Sequence, residues 1–482
     1  MNRLVADIAA ASEVAFLMEK ASEFIAVHGF RVEHEALTEV LKRAGASENA
    51  AGRICLPKGL QEEALSSVPR AFLVAGADPR FDVQFPHPRG LFYAQGPIGQ
   101  TKYLDALTGE LRPCTMDDQI DFVKVQQACE HISFWGNFTA QVENHPVRTL
   151  DLHTALNCMK HCSKPGTWMI YDEHSIAYGI EMAEAIAGGA DAHARRPLFA
   201  LEAAAASPMA LHHMDAEMIL QSARKRIPLI CASLPTAGAS APITPEGIAF
   251  LSIVEGIFLV MAAQLVQPGT PCMVGSLHLT MDMRTTQTIS TTAEMIRSMM
   301  LSIQVLERGY HLPVRTMGVG ANAHTVDGQT LAEDAIASHL TAITGASLLD
   351  GLGTYDNWMA ASPLQMIIDN DLVAMAQNIC SGVTVDLDRI GYDAIVEQIA
   401  LANSAFIDTD HTMEYFREIL YPKTFLRDSY AAWERGGKAD MLELAREEYK
   451  RIIAEHKPVP HSPELLKELD SIVARADRSA AE

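Results

Sequence analysis

The pattern of apolar and polar positions changes at about residue 130, where short apolar segments begin to alternate with longer helical patterns. The intervening segments, such as AEMIRSMMLSIQVLERG, carry apolar residues at steps of three and four, which is typical of amphipathic helices. This alternation implies parallel strands joined by right-handed crossovers, and seven or eight units over about 250 residues predict a TIM-type (β/α)8 barrel, an α/β fold. The candidate strands are ISFWGNF (132–138), GTWMIY (166–171), LFALEA (198–203), PLICA (228–232), PCMVGSL (271–277), PVRTMG (313–318) and SLLDGLG (347–353).

The segments on either side of this alternation have different patterns. Residues 1–125 combine helical stretches with a Pro- and Gly-rich region, and we assign them to an N-terminal helical or mixed cap that packs on the barrel. Residues 126–395 are predicted to be the catalytic barrel. Residues 396–482 contain charged amphipathic patterns such as MLELAREEYKRIIAEH, which predict a C-terminal helical extension.

One apolar stretch, Ile248–Val266, is nearly long enough to span a bilayer. Glu255 lies at its centre, and prolines bracket it at about the length of an ordinary globular helix. A carboxylate inside a membrane costs at least a few kcal/mol. We therefore predict a buried helix of a globular protein and no membrane partner.

Composition and charge narrow the range of partners. The chain has 482 residues, of which 48% are hydrophobic and 20% charged, so a large core is expected. Its formal net charge of −22 repels phosphate backbones and anionic lipids, which makes nucleic acid an unsuitable partner. An acidic field favours a cationic substrate, although acidity is also a common route to solubility.

Eight cysteines without a CxxC pair fit a reducing compartment, and the N-terminus lacks the pattern of a signal peptide, so we expect a cytoplasmic protein. The main nucleotide-binding motifs are absent: no GxGxxG follows the early strands, and no GxxxxGK[ST] occurs.

Candidate chemistry lies where polar residues follow predicted strands, because barrel active sites form at the carboxyl ends of strands. The segment DGQTLAED follows the strand PVRTMG. Asp327 has an alternative interpretation as a helix N-cap, whereas Glu333 lies among apolar residues where burial demands a partner or a role. Gln329 and Glu333 are four residues apart and share a helical face.

A second cluster, HTALNCMKHC (153–162), contains two cysteines and two histidines. Structural zinc sites usually take ligands from different elements, and three ligands on one helix make a strained tetrahedron. Packing of small apolar thiols is the alternative interpretation.

The order of several motifs resembles the trimethylamine methyltransferase family of corrinoid-dependent methyltransferases, from about Tyr93 to about Gly437. The motifs are GPIGQTKYLDALTGELRPCT (96–115), SPMAL (207–211), PTAGASAPITPEGIAF (235–250), QLVQPGTPCMVGS (264–276), DGQTLAED (327–334), GASLLDGLG (345–353) and RDSYAAWERGG (427–437).

This resemblance implies a barrel that passes a methyl group from a methylated amine to the cobalt of a cognate corrinoid protein. Archaeal trimethylamine enzymes carry pyrrolysine in the loop that here reads VDGQT, where Gly328 is the matching position, and this chain has only standard residues. Members without pyrrolysine are associated with quaternary amines such as glycine betaine, proline betaine and carnitine. The segment Leu348–Asp350 departs from many relatives, which have a polar residue before the aspartate.

We therefore expect a methyltransferase that uses a betaine-like quaternary amine, with the corrinoid carried by the partner protein and no tightly bound metal. A quaternary ammonium cannot donate hydrogen bonds, so its site needs aromatic faces and negative charge. Alternatives are a zinc-dependent corrinoid methyltransferase and a non-catalytic amine-binding barrel, and a homo-oligomer is compatible with the C-terminal helices.

The candidate catalytic residues are Asp327, Gln329 and Glu333, and the candidate substrate-binding residues are Tyr93, Arg315, His324, Tyr355 and Trp358. For Arg315, a ligand for a substrate carboxylate and a barrel-core salt bridge are both open.

Overall fold

A computed structural model of the protein describes residues 4–139 and 141–481 and shows a (β/α)8 barrel. All eight strands are parallel, and each is followed by a helix. Strands β1 to β8 are Tyr93–Ala94, Trp135–Gly136, Gly166–Trp168, Phe199–Ala205, Leu229–Ser233, Cys272–Ser276, Val314–Met317 and Leu348–Asp350. Helices α1 to α8 are Met116–Ala128, Val147–His161, His174–Ala187, His213–Lys225, Pro245–Val266, Ala293–Gln304, Gly328–Thr344 and Pro363–Cys380.

The barrel closes between β1 and β2. The Phe134 amide donates to the Ala94 carbonyl at 3.2 Å, and the Gly96 amide donates to the Phe134 carbonyl at 3.1 Å. The seven strands predicted from the sequence are confirmed, but β1 lies inside the segment 1–125 that we assigned to the cap. With only two residues, β1 is too short to show a strand pattern, so the barrel begins earlier than the boundary at residue 126. The boundary at residue 395 stays a prediction.

The N-terminal segment covers one side and the bottom of the barrel, which is the end where the strands begin. Helices Ala11–Val27, Glu35–Ala44 and Lys58–Ser66 all contact α5. The antiparallel pair Phe72–Val74 and Val83–Phe85 inserts apolar side chains against Phe134, Met273 and Leu348, near the start of three barrel strands. The bottom of the barrel is therefore filled with apolar side chains.

Helix α5 is the predicted apolar helix. It has a mean hydropathy of 2.1 over its best window, which satisfies the length and composition of a membrane span, but 89% of that window is buried within the protein. Glu255 is fully buried, and it accepts hydrogen bonds from the hydroxyls of Ser207 and Ser233 and from the Met209 amide at 2.6–2.8 Å. These bonds satisfy the carboxyl group inside the core, where burial raises its pKa. Helix α5 is thus a core helix, as predicted.

The C-terminal part contains helices Tyr392–Ile399, Asp410–Tyr415, Tyr430–Arg435, Met441–Glu455 and Pro463–Ala481. Helix Met441–Glu455 packs on α8 and α1, and helix Pro463–Ala481 packs on α3 and α2. The helices between residues 383 and 420 bury no residue of their own.

The close approach of α5 to the sheet depends on Gly256. A Cβ at Gly256 would lie 2.5 Å from Val274 Cγ1, a branched side chain that has little freedom to move. We predict that Gly256→Ala lowers the free energy of unfolding by about 1–3 kcal/mol because of overpacking. Gly59→Ala is the control, since it is exposed in a helix with no atom near its added methyl group, and it should stabilise by roughly 0.5–1 kcal/mol. Urea denaturation measures both, and equal effects of the two substitutions would contradict the close approach.

Candidate functional site

The barrel interior changes from apolar to polar one step above the bottom layer. Ala200 and Leu348 face the apolar bottom of the barrel beside Phe134. Strand side chains alternate, so the residues two positions farther along β4 and β8 also point inward. These residues are Glu202 and Asp350, and Arg315 reaches them from β7. Gln95 joins the layer by donating to Asp350 Oδ1 at 3.0 Å and accepting from the Thr167 hydroxyl at 2.5 Å. A polar layer therefore crosses the middle of the barrel.

Two carboxylates share one guanidinium in this layer. Arg315 donates to both oxygens of Glu202, at 2.6 and 2.9 Å, and its Nη2 lies 3.3 Å from Asp350 Oδ2. Asp350 Oδ2 and Arg315 Nε have no hydrogen-bond partner among the described residues. Burial, opposed by Arg315 and assisted by the charge of Glu202, raises the pKa of Asp350 to about 6. At neutral pH the layer carries one more negative than positive charge.

A cavity of about 160 Å³ lies above this layer, toward the carboxyl ends of the strands. Its floor includes Glu202, Arg315 and Asp350, and its walls are mostly apolar. Leu234, on its border, is 46% exposed, so the cavity meets the surface there. The remaining lining residues are Ile98, Met169, Leu277, Leu279, Thr288, Met317, Asn357 and Trp358. The cavity joins buried negative charge to a small apolar chamber.

Trp358 is the aromatic residue of this cavity, and the backbone around it is built to hold it. Residues 356–358 all have φ between +52° and +65°, a left-handed turn that is costly for residues other than glycine. A Cβ at Gly320 would lie 1.8 Å from Trp358 Nε1, and one at Gly351 would lie 2.5 Å from the indole Cη2. Two glycines therefore make room for the indole at the end of β8.

The three candidate catalytic residues lie beside the cavity's loops and do not line the cavity. Asp327 is exposed and caps α7 by accepting from the amides of Gln329 and Thr330, at 2.8 and 3.3 Å. The amide of the Gln329 side chain donates to Glu333 Oε1 at 2.9 Å. Glu333 Oε2 accepts from the Asn322 amide at 2.7 Å and so fixes the loop after β7. A catalytic role for these residues stays a prediction, and their hydrogen bonds serve the helix start and the loop.

Of the five candidate substrate-binding residues, Arg315 and Trp358 line the cavity. His324 is exposed and pairs with Asp356, which also binds Lys102 Nζ at 2.9 Å. Tyr355, three positions before Trp358, is fully buried, and its hydroxyl has no hydrogen-bond partner among the described residues. Tyr93, the remaining candidate, begins β1 and packs on Phe85 at the bottom of the barrel. Tyr93 and the cavity thus lie at different levels of the barrel.

A pair of buried carboxyl groups holds the two loops that flank Trp358. Asp334 on α7 accepts from the Gly320 amide at 2.8 Å, and Asp369 on α8 accepts from the Gly353 amide at 2.7 Å. The side-chain amide of Gln365 donates to both carboxyl groups, at 3.1 and 2.7 Å. Burial raises the pKa of Asp369 to about 7, and burial together with the charge of Asp369 raises the pKa of Asp334 well above its usual range.

The histidine and cysteine side chains of HTALNCMKHC do not converge on one site. His153 pairs with Asp477, and His161 faces His456. Cys158 and Cys162 are buried, and burial raises the pKa of both thiols. Among the described residues, no group of three or more His, Cys, Asp or Glu side chains has the arrangement of a metal site. The cluster packs α2 against its neighbours.

Sequence reasoning missed Glu202 and the role of Asp350. A signal was present, because LFALEA, PVRTMG and SLLDGLG each carry one charged residue inside an otherwise apolar strand. Such a charge is rarely buried without a partner, and three on neighbouring or facing strands of a closed barrel would meet in its interior.

The comparisons with known proteins agree with this architecture. A family model described as Trimethylamine methyltransferase (MTTB) matches residues 2–481. Trimethylamine methyltransferase MttB of Desulfitobacterium hafniense (strain DSM 10664 / DCB-2) is 25% identical, with 94% of this chain and 91% of that protein covered. Glycine betaine methyltransferase of Desulfitobacterium hafniense (strain Y51) is 24% identical, with 98% and 97% covered. The crystal structure of the Methanosarcina barkeri monomethylamine methyltransferase (MtmB) aligns with a TM-score of 0.52 at 10% identity, covering 95% of this chain and 89% of that one, which shows the shared fold.

The carboxyl pair at α7 and α8 predicts a pH dependence of stability. Because the folded-state pKa of each group is raised, the folded protein binds more protons than the unfolded chain between about pH 4 and pH 7, and the free energy of unfolding falls as pH rises through that range. Asp334→Asn should reduce this fall by on the order of 1–3 kcal/mol, since one charge and its repulsion are removed.

Urea denaturation across this pH range measures the effect. Asp371→Asn is the matched control on α8. Asp371 accepts two hydrogen bonds from Thr424 and shares no hydrogen-bond donor with another carboxyl group. An unchanged pH slope in Asp334→Asn, or the same change in both variants, would refute the assignment of this pH dependence to Asp334 and Asp369.

Proposed function

Because the chain belongs to the trimethylamine methyltransferase family, we propose that it transfers a methyl group from a quaternary amine to the Co(I) of a corrinoid carried by a separate protein. Names of relatives support a methylated amine as substrate, since they include trimethylamine and glycine betaine methyltransferases, and glycine betaine is a quaternary amine. The observation that carries the proposal is the excess negative charge below a small apolar cavity.

A quaternary ammonium fits this cavity for two physical reasons. Its charge is permanent, so it compensates the unshared negative charge of the layer wherever Asp350 is ionised. It offers no N–H group, so the apolar walls of Met169, Leu277 and Met317 satisfy its methyl groups without hydrogen bonds. Trp358 adds an aromatic surface of the kind that attracts cations. A neutral amine would leave the negative charge of the layer uncompensated.

The chemistry asks for binding and orientation more than for proton transfer. The Co(I) centre supplies the nucleophile: the C–N bond breaks, its electron pair stays on nitrogen, and the methyl group joins cobalt, so that a neutral tertiary amine leaves without a proton. The chain fixes the ammonium against the polar layer and directs one methyl group outward, which removes much of the orientational cost of the reaction. The apolar walls exclude water around the charge. The corrinoid protein is a second substrate, which would approach at the surface near Leu234.

Arg315 is committed to Glu202 and Asp350, so its guanidinium does not act as a free ligand for a substrate carboxylate. We propose that Arg315 limits the negative charge of the layer to one unit and holds both carboxylates in place. A carboxylate placed near this layer would meet Glu202 and Asp350. An amine with a neutral substituent, such as choline, is therefore favoured over glycine betaine.

The alternatives differ in their requirements. A zinc-dependent methyltransferase needs a set of soft ligands, but the two histidines of HTALNCMKHC have other partners and its two cysteines are buried as free thiols. A non-catalytic binder would have the same cavity but no reaction with cobalt. Cytoplasmic location and a cognate corrinoid protein remain part of the proposal.

We expect the purified chain to accelerate the loss of Co(I) absorbance when it is supplied with free cob(I)alamin and a quaternary amine, because only these compounds lose a methyl group without protonation. A panel of choline, tetramethylammonium, glycine betaine and carnitine identifies the substrate, and trimethylamine serves as the tertiary control. Binding of an amine without any acceleration would favour the non-catalytic binder. Acceleration by trimethylamine but by no quaternary amine would contradict the proposal.

Glu202→Gln tests, separately from catalysis, whether the excess negative charge of the polar layer selects the ligand. It leaves one carboxylate opposite one guanidinium, so the ratio of choline affinity to glycine betaine affinity should fall by roughly tenfold or more. Titration calorimetry without corrinoid measures this ratio. Glu255→Gln is the matched control, a buried carboxyl group outside the cavity, and should keep the wild-type ratio. An unchanged ratio in Glu202→Gln would show that the polar layer does not select the substrate.

A further inference from the structure

Residues 383–420, here called the arm, carry an unusual concentration of exposed apolar side chains. Fourteen of the thirty-one exposed large hydrophobic residues of the described chain lie in these thirty-eight positions. Val383, Ile399 and Ile407 are 75–81% exposed, and Gly391 is the one buried residue of the arm. A surface of this kind marks a contact with another molecule.

The arm nevertheless has a defined internal structure. It contains two helices, Tyr392–Ile399 and Asp410–Tyr415, and a helical turn at Phe416–Glu418. Arg389 binds Glu418 at 2.6 Å and lies over the ring of Tyr415, whose hydroxyl donates to Asp388. Within the described residues, the hydrogen bonds and ion pairs of residues 383–420 all end inside the arm. The arm is thus held in shape by polar contacts and lacks an apolar core of its own.

The size of the apolar surface is that of a stable protein interface. At roughly 150 Å² for a fully exposed large side chain, the fourteen residues present on the order of 1,000 Å² of apolar area. A standard interface buries about 800 Å² on each partner. Ordering some forty residues without burying this area would leave their conformational entropy largely uncompensated.

The position of the arm decides between two partners. Barrel helices run antiparallel to the strands, so α8 ends at the bottom of the barrel, where the Leu4 amide donates to the Cys380 carbonyl at 3.1 Å. The chain leaves α8 there and returns at Thr424, which donates to Asp371 halfway along α8. A corrinoid protein has to reach the opposite end, where the cavity opens. The arm therefore fits a second copy of this chain better than the corrinoid protein.

We propose that the arm is a dimerisation element that packs against the same segment of a second copy about a twofold axis. A twofold contact is self-complementary, so one apolar surface covers the other without a separate receptor site. The choice of a second copy over the corrinoid protein rests on the proposed function, whereas the exposed apolar surface of the arm does not depend on the substrate or on the methyl acceptor.

The charge of the arm adds a specific expectation. It contains eight acidic and two arginine residues, which gives a net charge of −6. Two arms in contact repel each other electrostatically, whereas their apolar contact does not depend on ion pairs across the interface. Salt screens the repulsion, so the dimer should become tighter as ionic strength rises.

Sedimentation equilibrium of the full chain tests the proposal with a polar arm variant, in which Val385, Ile399, Leu401 and Ile407 are replaced by serine. We expect the wild-type chain to be a dimer, or a larger assembly built from dimers, with a dissociation constant at least ~100-fold lower than that of the variant. The control variant replaces Phe16, Val27, Leu107 and Val147 by serine, four residues outside the arm that are each more than half exposed, and should associate like the wild type. Circular dichroism confirms that each variant is folded.

A crosslink identifies the contact surface. All eight native cysteines are buried, so Ile399→Cys introduces the one accessible thiol, and a flexible bis-maleimide should link two copies through it. Val27→Cys should give no such product. A monomeric wild-type chain, or association unchanged in the arm variant, would overturn the proposal. A monomer whose arm variant loses activity with the corrinoid protein but keeps it with free cob(I)alamin would assign the arm to that protein instead.

Discussion

The structure depends on one arrangement of charge: a single guanidinium shared by two carboxylates in the middle of a closed barrel. Arg315 satisfies Glu202 through two hydrogen bonds and reaches Asp350 at 3.3 Å, which leaves Asp350 Oδ2 without a hydrogen bond. Burying charge is costly unless it is paired, and here the pairing is incomplete by one charge. A cation placed above the layer would complete it. The apolar walls of the cavity restrict that cation to one that needs no hydrogen bonds.

The remainder of the barrel fixes this arrangement in place. Apolar side chains from the antiparallel pair at residues 72–85 close the bottom, so the polar layer is reached from the strand ends. At those ends, Asp334 and Asp369 hold the amides of Gly320 and Gly353, and the glycines beside Trp358 leave room for its indole. The loops are therefore ordered by buried hydrogen bonds before any substrate arrives. Such preorganisation is what a site without proton chemistry requires.

The sequence predicted the barrel well because β4 to β8 are short apolar segments separated by clear helical patterns. It missed β1, since two residues between Pro- and Gly-rich segments carry no periodicity. Asp327, Gln329 and Glu333 attracted attention by following a strand, but an N-cap and a loop contact account for their hydrogen bonds. The polar layer escaped prediction because its members lie on β4, β7 and β8, more than a hundred positions apart for Glu202 and Arg315, and only the closed geometry brings them together. Likewise, the sequence does not show that the apolar residues of the arm are exposed, because this requires knowing which residues the fold buries.

We propose that the cavity selects its ligand by permanent positive charge. Choline and 3,3-dimethylbutan-1-ol have nearly the same shape, and they differ in the charged nitrogen that the second compound replaces with carbon. Titration calorimetry with both ligands at neutral pH therefore isolates the charge. We expect choline to bind at least about tenfold more tightly, which corresponds to roughly 1.4 kcal/mol. Equal affinities, or tighter binding of the uncharged compound, would contradict it.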